Sequence, residues 1–170
     1  VKKRVLIIGG GASGLAAAVW AARQGARVTV VEHMDRVGKK ILSTGNGRCN
    51  LTNLRMGEDC YRCGQKGFPM EVIRGFGVDE TLAFFKGLGI EPKDRNGYIY
   101  PNSDQASAVL DVLRSEVERL GVVVLLSCRV EKIEPAVGGG GVRYKVYTDQ
   151  GILDAEAVIL AAGSKAAPST

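Results

Sequence analysis

Apolar and polar positions alternate along this chain in a way that separates strands from helices. Val5–Ile8 is a short apolar run and reads as a buried strand. Leu15–Gln24 (LAAAVWAARQ) is Ala-rich, has no internal breaker and predicts a helix that Gly25 ends. Arg27–Val31 (RVTVV) is β-branched and predicts a second strand. Leu54–Gly75 has no clear period, contains Pro69 and several glycines, and reads as loop with one helical turn. Asp79 is a candidate N-cap for a helix through Leu88, with Leu82, Phe85 and Leu88 on its apolar side. Glu91–Pro101 predicts a hairpin turning at Arg95-Asn96-Gly97, with Tyr98 and Tyr100 on one face, partly buried against the adjoining helix.

The later half is read the same way. In Asp104–Leu120, Val109, Leu113, Val117 and Leu120 recur at helical spacing with charged residues opposite, and Gly121 follows as terminator. Val122–Leu126 (VVVLL) is unbroken, as a parallel strand buried on both faces would be. Strand character resumes over Val130–Ile133. Gly138–Gly141 then turns into an alternating strand at Val142–Tyr147, and Asp149-Gln150-Gly151 turns again. Ala157–Ala161 is a further buried strand. Together these predict one α/β domain over residues 1–170: a parallel sheet from the strands at Val5, Arg27, Val122 and Ala157, with a small antiparallel meander over about Val130–Leu153.

The junction between first strand and first helix is Gly9-Gly10-Gly11-Ala12-Ser13-Gly14, which carries the Gly-x-Gly-x-x-Gly spacing of a dinucleotide-binding turn. Gly9 allows the tight turn, Gly11 lets a pyrophosphate approach the backbone, and Gly14 lets the helix pack on the strand. The helix N-terminus offers unpaired N–H groups and partial positive charge to phosphates. Glu32, at the end of the second strand and 18 residues after Gly14, stands near the spacing of a carboxylate that bonds an adenosine ribose. It serves the ribose of NAD or of FAD equally. Its replacement by alanine is expected to weaken dinucleotide binding and leave the fold intact. A 2′-phosphate would meet it at close range, so NADP is disfavoured there. The competing reading is a buried strand–helix–strand unit with a merely solvated glutamate.

Composition narrows the class. With 45% hydrophobic and 24% charged residues the chain is an ordinary globular one. No apolar run approaches a membrane span, and no secretory signal precedes the first strand, which points to the cytoplasm. The net charge of +5 is spread along the chain without the dense basic patch of a nucleic-acid binder. Of the cysteines at 49, 60, 63 and 128, Cys60 and Cys63 form a C-x-x-C. No second ligand pair accompanies it, so reduced thiols in a loop are expected rather than structural zinc.

Gly38–Asn53 (GKKILSTGNGRCNLTN) is the second informative stretch. Its Gly, Ser, Thr and Asn residues describe a backbone that bends tightly, and Lys39, Lys40 and Arg48 add cationic donors. It suits either a concave nest for an anionic ligand or an ordinary surface loop. With the glycine turn, Glu32, Gly97–Ser107 (GYIYPNSDQAS) and Val158–Gly163 (VILAAG), this segment resembles the bacterial flavoprotein family of aminoacetone-oxidase-like and bile-acid-dehydroxylation-like NAD(P)/FAD-dependent oxidoreductases. The resemblance implies a Rossmann-like sheet of the two-dinucleotide-binding flavoprotein type, with FAD as cofactor, extended across the fold. It implies NAD(P)H as a possible electron donor, hydride transfer through the flavin and an unnamed small-molecule substrate, without nucleic acid or membrane as partner. The cofactor-binding positions it implies are Gly9, Gly11, Ala12, Ser13, Gly14, Glu32, His33, Lys40, Ser43, Gly45, Asn46, Gly47, Arg48, Cys49, Asn50, Val130 (near the adenine), Ala161, Ala162 and Gly163. No catalytic acid or base is assigned. Members of the resembled family are considerably longer, so the 170 residues are expected to grip the ADP half of FAD without making a complete enzyme. The alternatives are an NAD-dependent dehydrogenase domain and a non-catalytic nucleotide-binding fragment.

Overall fold

The computed structural model describes residues 2–136 and 141–163. The elements follow in the order β1 (Arg4–Ile8), α1 (Ala12–Arg23), β2 (Arg27–Val31), a kinked pair of 3-10 turns (Ile41–Gly47), β3 (Thr52–Asn53), a 3-10 turn (Glu58–Cys60), α2 (Phe68–Gly75), α3 (Val78–Gly87), β4 (Pro92–Arg95), β5 (Tyr98–Pro101), α4 (Ala106–Arg119), β6 (Val123–Leu125), β7 (Val130–Pro135), β8 (Tyr144–Thr148), β9 (Gly151–Ala155) and β10 (Ala157–Leu160). The chain divides into two compact units, residues 1–40 with 113–170, and residues 41–112. Three of the four residues of the turn expected at Gly138–Gly141 (Gly138, Gly139 and Gly140) lie outside the described residues.

The first unit is built on a parallel sheet in the order β10-β1-β2-β6, the four strands expected from the apolar runs. β1 and β2 are central, which is why Ile7 and Val30 are fully buried. One face of the unit is closed by α1 through Leu15, Ala18 and Val19. The antiparallel meander β7-β8-β9 supplies a second packing layer, where Leu6 and Val31 join Cys128, Val146 and Ala155. α1 stops where Gly25 donates to Ala22 O (2.9 Å) and Ala26 to Ala21 O (3.1 Å), the paired bonds of a Schellman end.

Two strands differ from the expected burial. β6 and β10 are the sheet margins, leaving Val123, Ile159 and Leu160 exposed. An apolar run reads the same at the centre and the edge of a sheet, so periodicity did not separate them. β6 also stops before Ser127, which has φ +50°, and β7 pairs in the meander instead of extending β6.

α4 buries Val109, Leu113 and Val117 as its period predicts, but Leu120 is only half-buried and Glu116 is buried on the apolar side. Glu116 is tolerated there because it is paired. Arg23 donates from Nε (3.0 Å) and Nη2 (2.8 Å) to Oε1, and Arg119 from Nε (2.6 Å) to Oε2. These guanidinium groups, Arg119 first, outweigh the effect of burial and hold its carboxyl at about 2.

The second unit contains the antiparallel sheet β3-β5-β4. The expected hairpin forms β4 and β5, and positive φ at both Asn96 (56°) and Gly97 (90°) makes the type I′ turn that Asn-Gly favours. Tyr98 is 53% exposed, against the expected partial burial. α3 starts at Val78 with Gly77 as N-cap instead of Asp79, and Glu80 Oε2 accepts the Gly77 N–H (2.8 Å). Its buried residue is Phe84, one position from the expected stripe. The segment expected as loop holds α2 as a full helix, because Pro69 sits in its first turn, where a missing N–H costs nothing.

Candidate nucleotide-binding site

At the end of β1 the chain turns through Gly9 (φ +104°), whose N–H donates to Val31 O (2.8 Å). A Cβ there would lie 2.4 Å from Ala161 O, and one on Gly14 would lie 1.8 Å from Gly9 O. Both glycines are therefore fixed by backbone crowding. Ala161 is held alongside by its own N–H to Ile8 O (2.8 Å). Gly11 is different: nothing lies within 4 Å of where its Cβ would stand. It is the N-cap of α1, no side chain caps the helix, and no acidic residue occupies the first turn. The first residues of α1, Ala12 and Ser13, are exposed beside that free space, with the positive end of the helix dipole behind their N–H groups.

Glu32 is buried beside this turn, 7% exposed, and its carboxylate is already engaged. Oε2 accepts the Gly10 N–H (2.7 Å); Oε1 accepts the Met34 N–H (2.8 Å) and lies 2.9 Å from His33 Nδ1. Gly10 O in turn accepts the Gly38 N–H (2.7 Å), and a Cβ on Gly10 would lie 2.6 Å from Val37 Cγ1. The segment from Glu32 to Gly38 is a strap around Gly10. Sequence reasoning missed Gly10, Val37 and Gly38, and nothing local signals them. Glu32 is a fold element as well as a candidate ligand, so its loss is expected to cost stability as well as affinity.

The other candidates of the first unit fall into two places. Lys40 Nζ lies 3.0 Å from where a Cβ on Gly163 would stand, and Gly163 (φ +83°) follows exposed Ala162 at the end of β10. Val130 opens β7, pairs with Thr148 and precedes a register shift before Lys132. Two positions earlier the Cys128 N–H donates to Glu32 O (3.0 Å), and Val130 packs against the cluster of Leu6, Val31 and Cys128.

Ser43 to Asn50 belongs to the second unit and has its own geometry. Gly45, Asn46, Gly47 and Cys49 all have positive φ, from 55° to 80°. The bend is closed by the N–H of Arg48 to Gly45 O (3.2 Å) and of Cys49 to Thr44 O (3.0 Å). Asn50 spends its amide on the backbone, donating from Nδ2 to Thr52 O (3.1 Å) and Ile99 O (3.0 Å). It pins the loop instead of offering those donors to a ligand. The Arg48 guanidinium lies 6.0 Å from the centre of the Tyr100 ring, at the outer reach of a cation–π contact. Burial pushes the Cys49 thiol up, partly offset by its hydrogen bond with Thr44.

All four cysteines are free, with Cys60 and Cys63 exposed. Among the described residues no group of three or more His, Cys, Asp or Glu is arranged to hold a metal. No helix among them is long and apolar enough to cross a membrane.

A parallel sheet whose first strand enters an uncapped helix through a crowded glycine turn, with a buried acid after the second strand, defines a Rossmann-type dinucleotide-binding fold. The chain belongs to the HI0933-like family: that family's Rossmann-domain model matches residues 3–170. It is 46% identical over 168 residues to the 3-dehydro-bile acid delta(4,6)-reductase of Clostridium scindens, covering 98% of this chain and 40% of that protein. It is 27% identical over 164 residues to the ribosomal RNA dihydrouridine synthase of Haemophilus influenzae, covering 96% of this chain and 41% of that protein. The chain thus spans about two fifths of the length of these curated relatives. Among solved structures, the THI4 protein of Thermovibrio ammonificans superposes with a TM-score of 0.61 at 18% identity, over 96% of this chain and 58% of that one. CtdE in complex with FAD gives 0.52 at 19% identity, over 96% of this chain and 39% of that one. At such identity the likeness is one of fold. The family resemblance and fold class read from the sequence are borne out.

Proposed function

We propose that this chain binds FAD by its ADP half and forms the cofactor-binding portion of a bacterial, cytoplasmic oxidoreductase that takes electrons from NAD(P)H. The observation that carries the reading is the open space at Gly11 before the uncapped start of α1, beside a buried carboxylate. In this assignment the N–H groups of Ala12 and Ser13 hold the pyrophosphate. Glu32, with Gly10, Met34 and His33 fixing its rotamer, accepts from the ribose through its remaining lone pairs. Val130 flanks the adenine, and Lys40 with Ala161–Gly163 lies along the cofactor. In the second unit, taken by itself, the Ser43–Cys49 bend is a candidate nest of backbone donors for an anionic group. FAD, when bound, supplies hydride acceptance and donation at its isoalloxazine ring. The residues of this chain bind and orient it.

The name of the 46% identical relative supports reductive chemistry on a small organic substrate. The ribosomal RNA dihydrouridine synthase of Haemophilus influenzae is more distant, at 27% identity. An NAD-dependent dehydrogenase remains the competing reading, since Glu32 suits either ribose. Calorimetric titration with FAD, NAD and NADP separates them: FAD is expected to bind tightest and NADP weakest, and tighter binding of NAD than of FAD would sink the proposal. Gly11→Ala places a methyl in the free space, so it should lower FAD affinity by about tenfold or more while the melting temperature stays within a few degrees.

A further inference from the structure

A cavity of about 380 Å³ opens between α1, α4, β6 and the strap after β2, and the nucleotide reading makes no use of it. Small-molecule sites are typically about 300–1,000 Å³, largely preformed, and apolar with a few polar groups. Here Leu15, Val37 and Val117 are buried wall residues, and Val124 adds a half-buried one from β6. Val37 is also the side chain that packs against Gly10.

The rim is unusual in its charge. It carries Asp35 and Arg36 from the strap, and Arg114 and Glu118 from one face of α4, all exposed. Among the described residues none of these four has an ion-pair partner within 4 Å. Arg114 and Glu118 are four apart on a helix, but the cation precedes the acid, the weaker order for such a pair. Each wall of the mouth therefore presents one unengaged cation and one unengaged anion above an apolar interior.

We infer that this cavity binds a zwitterionic α-amino acid with a large apolar side chain, its carboxylate facing Arg114 and Arg36, its ammonium facing Glu118 and Asp35, and its side chain on the Leu15–Val37–Val124 wall. A simple apolar anion or cation would satisfy one half of the rim and leave the other half opposed by like charge. A neutral ligand would use neither.

The test is calorimetric titration of the chain with L-phenylalanine, with 3-phenylpropionate (no ammonium) and with phenethylamine (no carboxylate). L-Phenylalanine is expected to bind with 1:1 stoichiometry, about fivefold or more tighter than either single-charge analogue. Arg114→Ala should weaken L-phenylalanine and 3-phenylpropionate and spare phenethylamine. Glu118→Gln should weaken L-phenylalanine and phenethylamine and spare 3-phenylpropionate. Val124→Trp, which fills the cavity, should abolish binding of all three with the circular dichroism spectrum retained. Should Val124→Trp not fold, the two rim variants carry the test, since both positions are exposed. Absence of saturable L-phenylalanine binding up to about 10 mM overturns the inference. So does an affinity for 3-phenylpropionate equal to that for L-phenylalanine, or indifference of L-phenylalanine binding to both rim variants.

Discussion

The two glycine-rich stretches of this molecule need glycine for different reasons. At Gly9–Gly14 the constraint is mainly space, with a positive φ at Gly9 alone. Missing side chains let Gly9 meet Ala161, Gly10 meet Val37 and Gly14 meet Gly9, at distances no Cβ allows. At Gly45–Cys49 the constraint is mainly the sign of φ, and two non-glycine residues, Asn46 and Cys49, accept it. Only Gly45 is also crowded, with Asn50 N at 2.9 Å and Tyr100 Cε1 at 3.0 Å from its would-be Cβ. A turn fixed by contacts between distant segments ties three parts of the chain to one geometry. A bend fixed by local dihedrals does not. The first is thus the costlier to alter, and Gly11, with nothing within 4 Å of its would-be Cβ, is the exception to its crowding.

Substitutions can break this contrast, and the largest effect is expected at Gly14. Gly14→Ala forces backbone apart at Gly9 and should cost about 3 kcal/mol or more in urea unfolding; a loss under half of that would mean that the turn yields readily. Glu32→Ala removes the acceptor for two backbone N–H groups and should cost about 1.5–3 kcal/mol even without nucleotide. Unaltered stability of the apo chain would show that the strap holds Gly10 unaided.

In the second stretch, Gly47→Ala should cost about 1–2 kcal/mol from the left-handed backbone alone, since its would-be Cβ meets nothing nearer than Leu42 O at 3.9 Å. Asn46→Gly should stay within about 0.5 kcal/mol, since asparagine already tolerates that conformation. Comparable losses at Gly47 and Gly14 would erase the distinction.

The smallest effect concerns the helix that leaves the first turn. Because Arg119 and Arg23 hold Glu116 at about 2, below the ordinary value of 4.5, its stabilising contribution is complete above that ordinary value. It is lost as pH falls from about 4.5 towards about 2. Glu116→Gln should therefore cost about 1 kcal/mol near neutrality and little at the acid end, as read from urea midpoints across that range. A constant difference would mean that the carboxylate charge is irrelevant.

What was legible in the sequence follows this same division. The β1–α1–β2 unit declares itself because strand, turn, helix cap and acid are adjacent in sequence, and the Asn96-Gly97 hairpin because its turn chemistry is local. Glu32 could be found by spacing, but its partner Gly10 could not, since that bond is made 22 residues away. Pro69 read as a breaker because its position inside the first turn of α2 is known only once the helix start is fixed. Glu116 looked like a solvent-facing residue because its neutralising Arg23 comes from another helix. Composition showed that Gly38–Asn53 bends, but not that Asn50 turns its amide inward to hold the bend.

The place of β10 has a consequence for how the protein is made. β1 is complete within the first eight residues, yet its neighbour on one side is β10, and Arg4 meets Glu156 across a gap of 152 positions. At about 5–20 residues per second, ribosomal synthesis leaves that side of β1 unmatched for roughly 8–30 s. During that time β2, available almost at once, can pair with β1 and α1 can cover it. The opposite flank, with Leu6 and Ile8 awaiting both β10 and the meander, stays open on the nascent chain. A chaperone that shields short apolar strands would find its target there, and a pause in translation before residue 157 would lengthen its exposure.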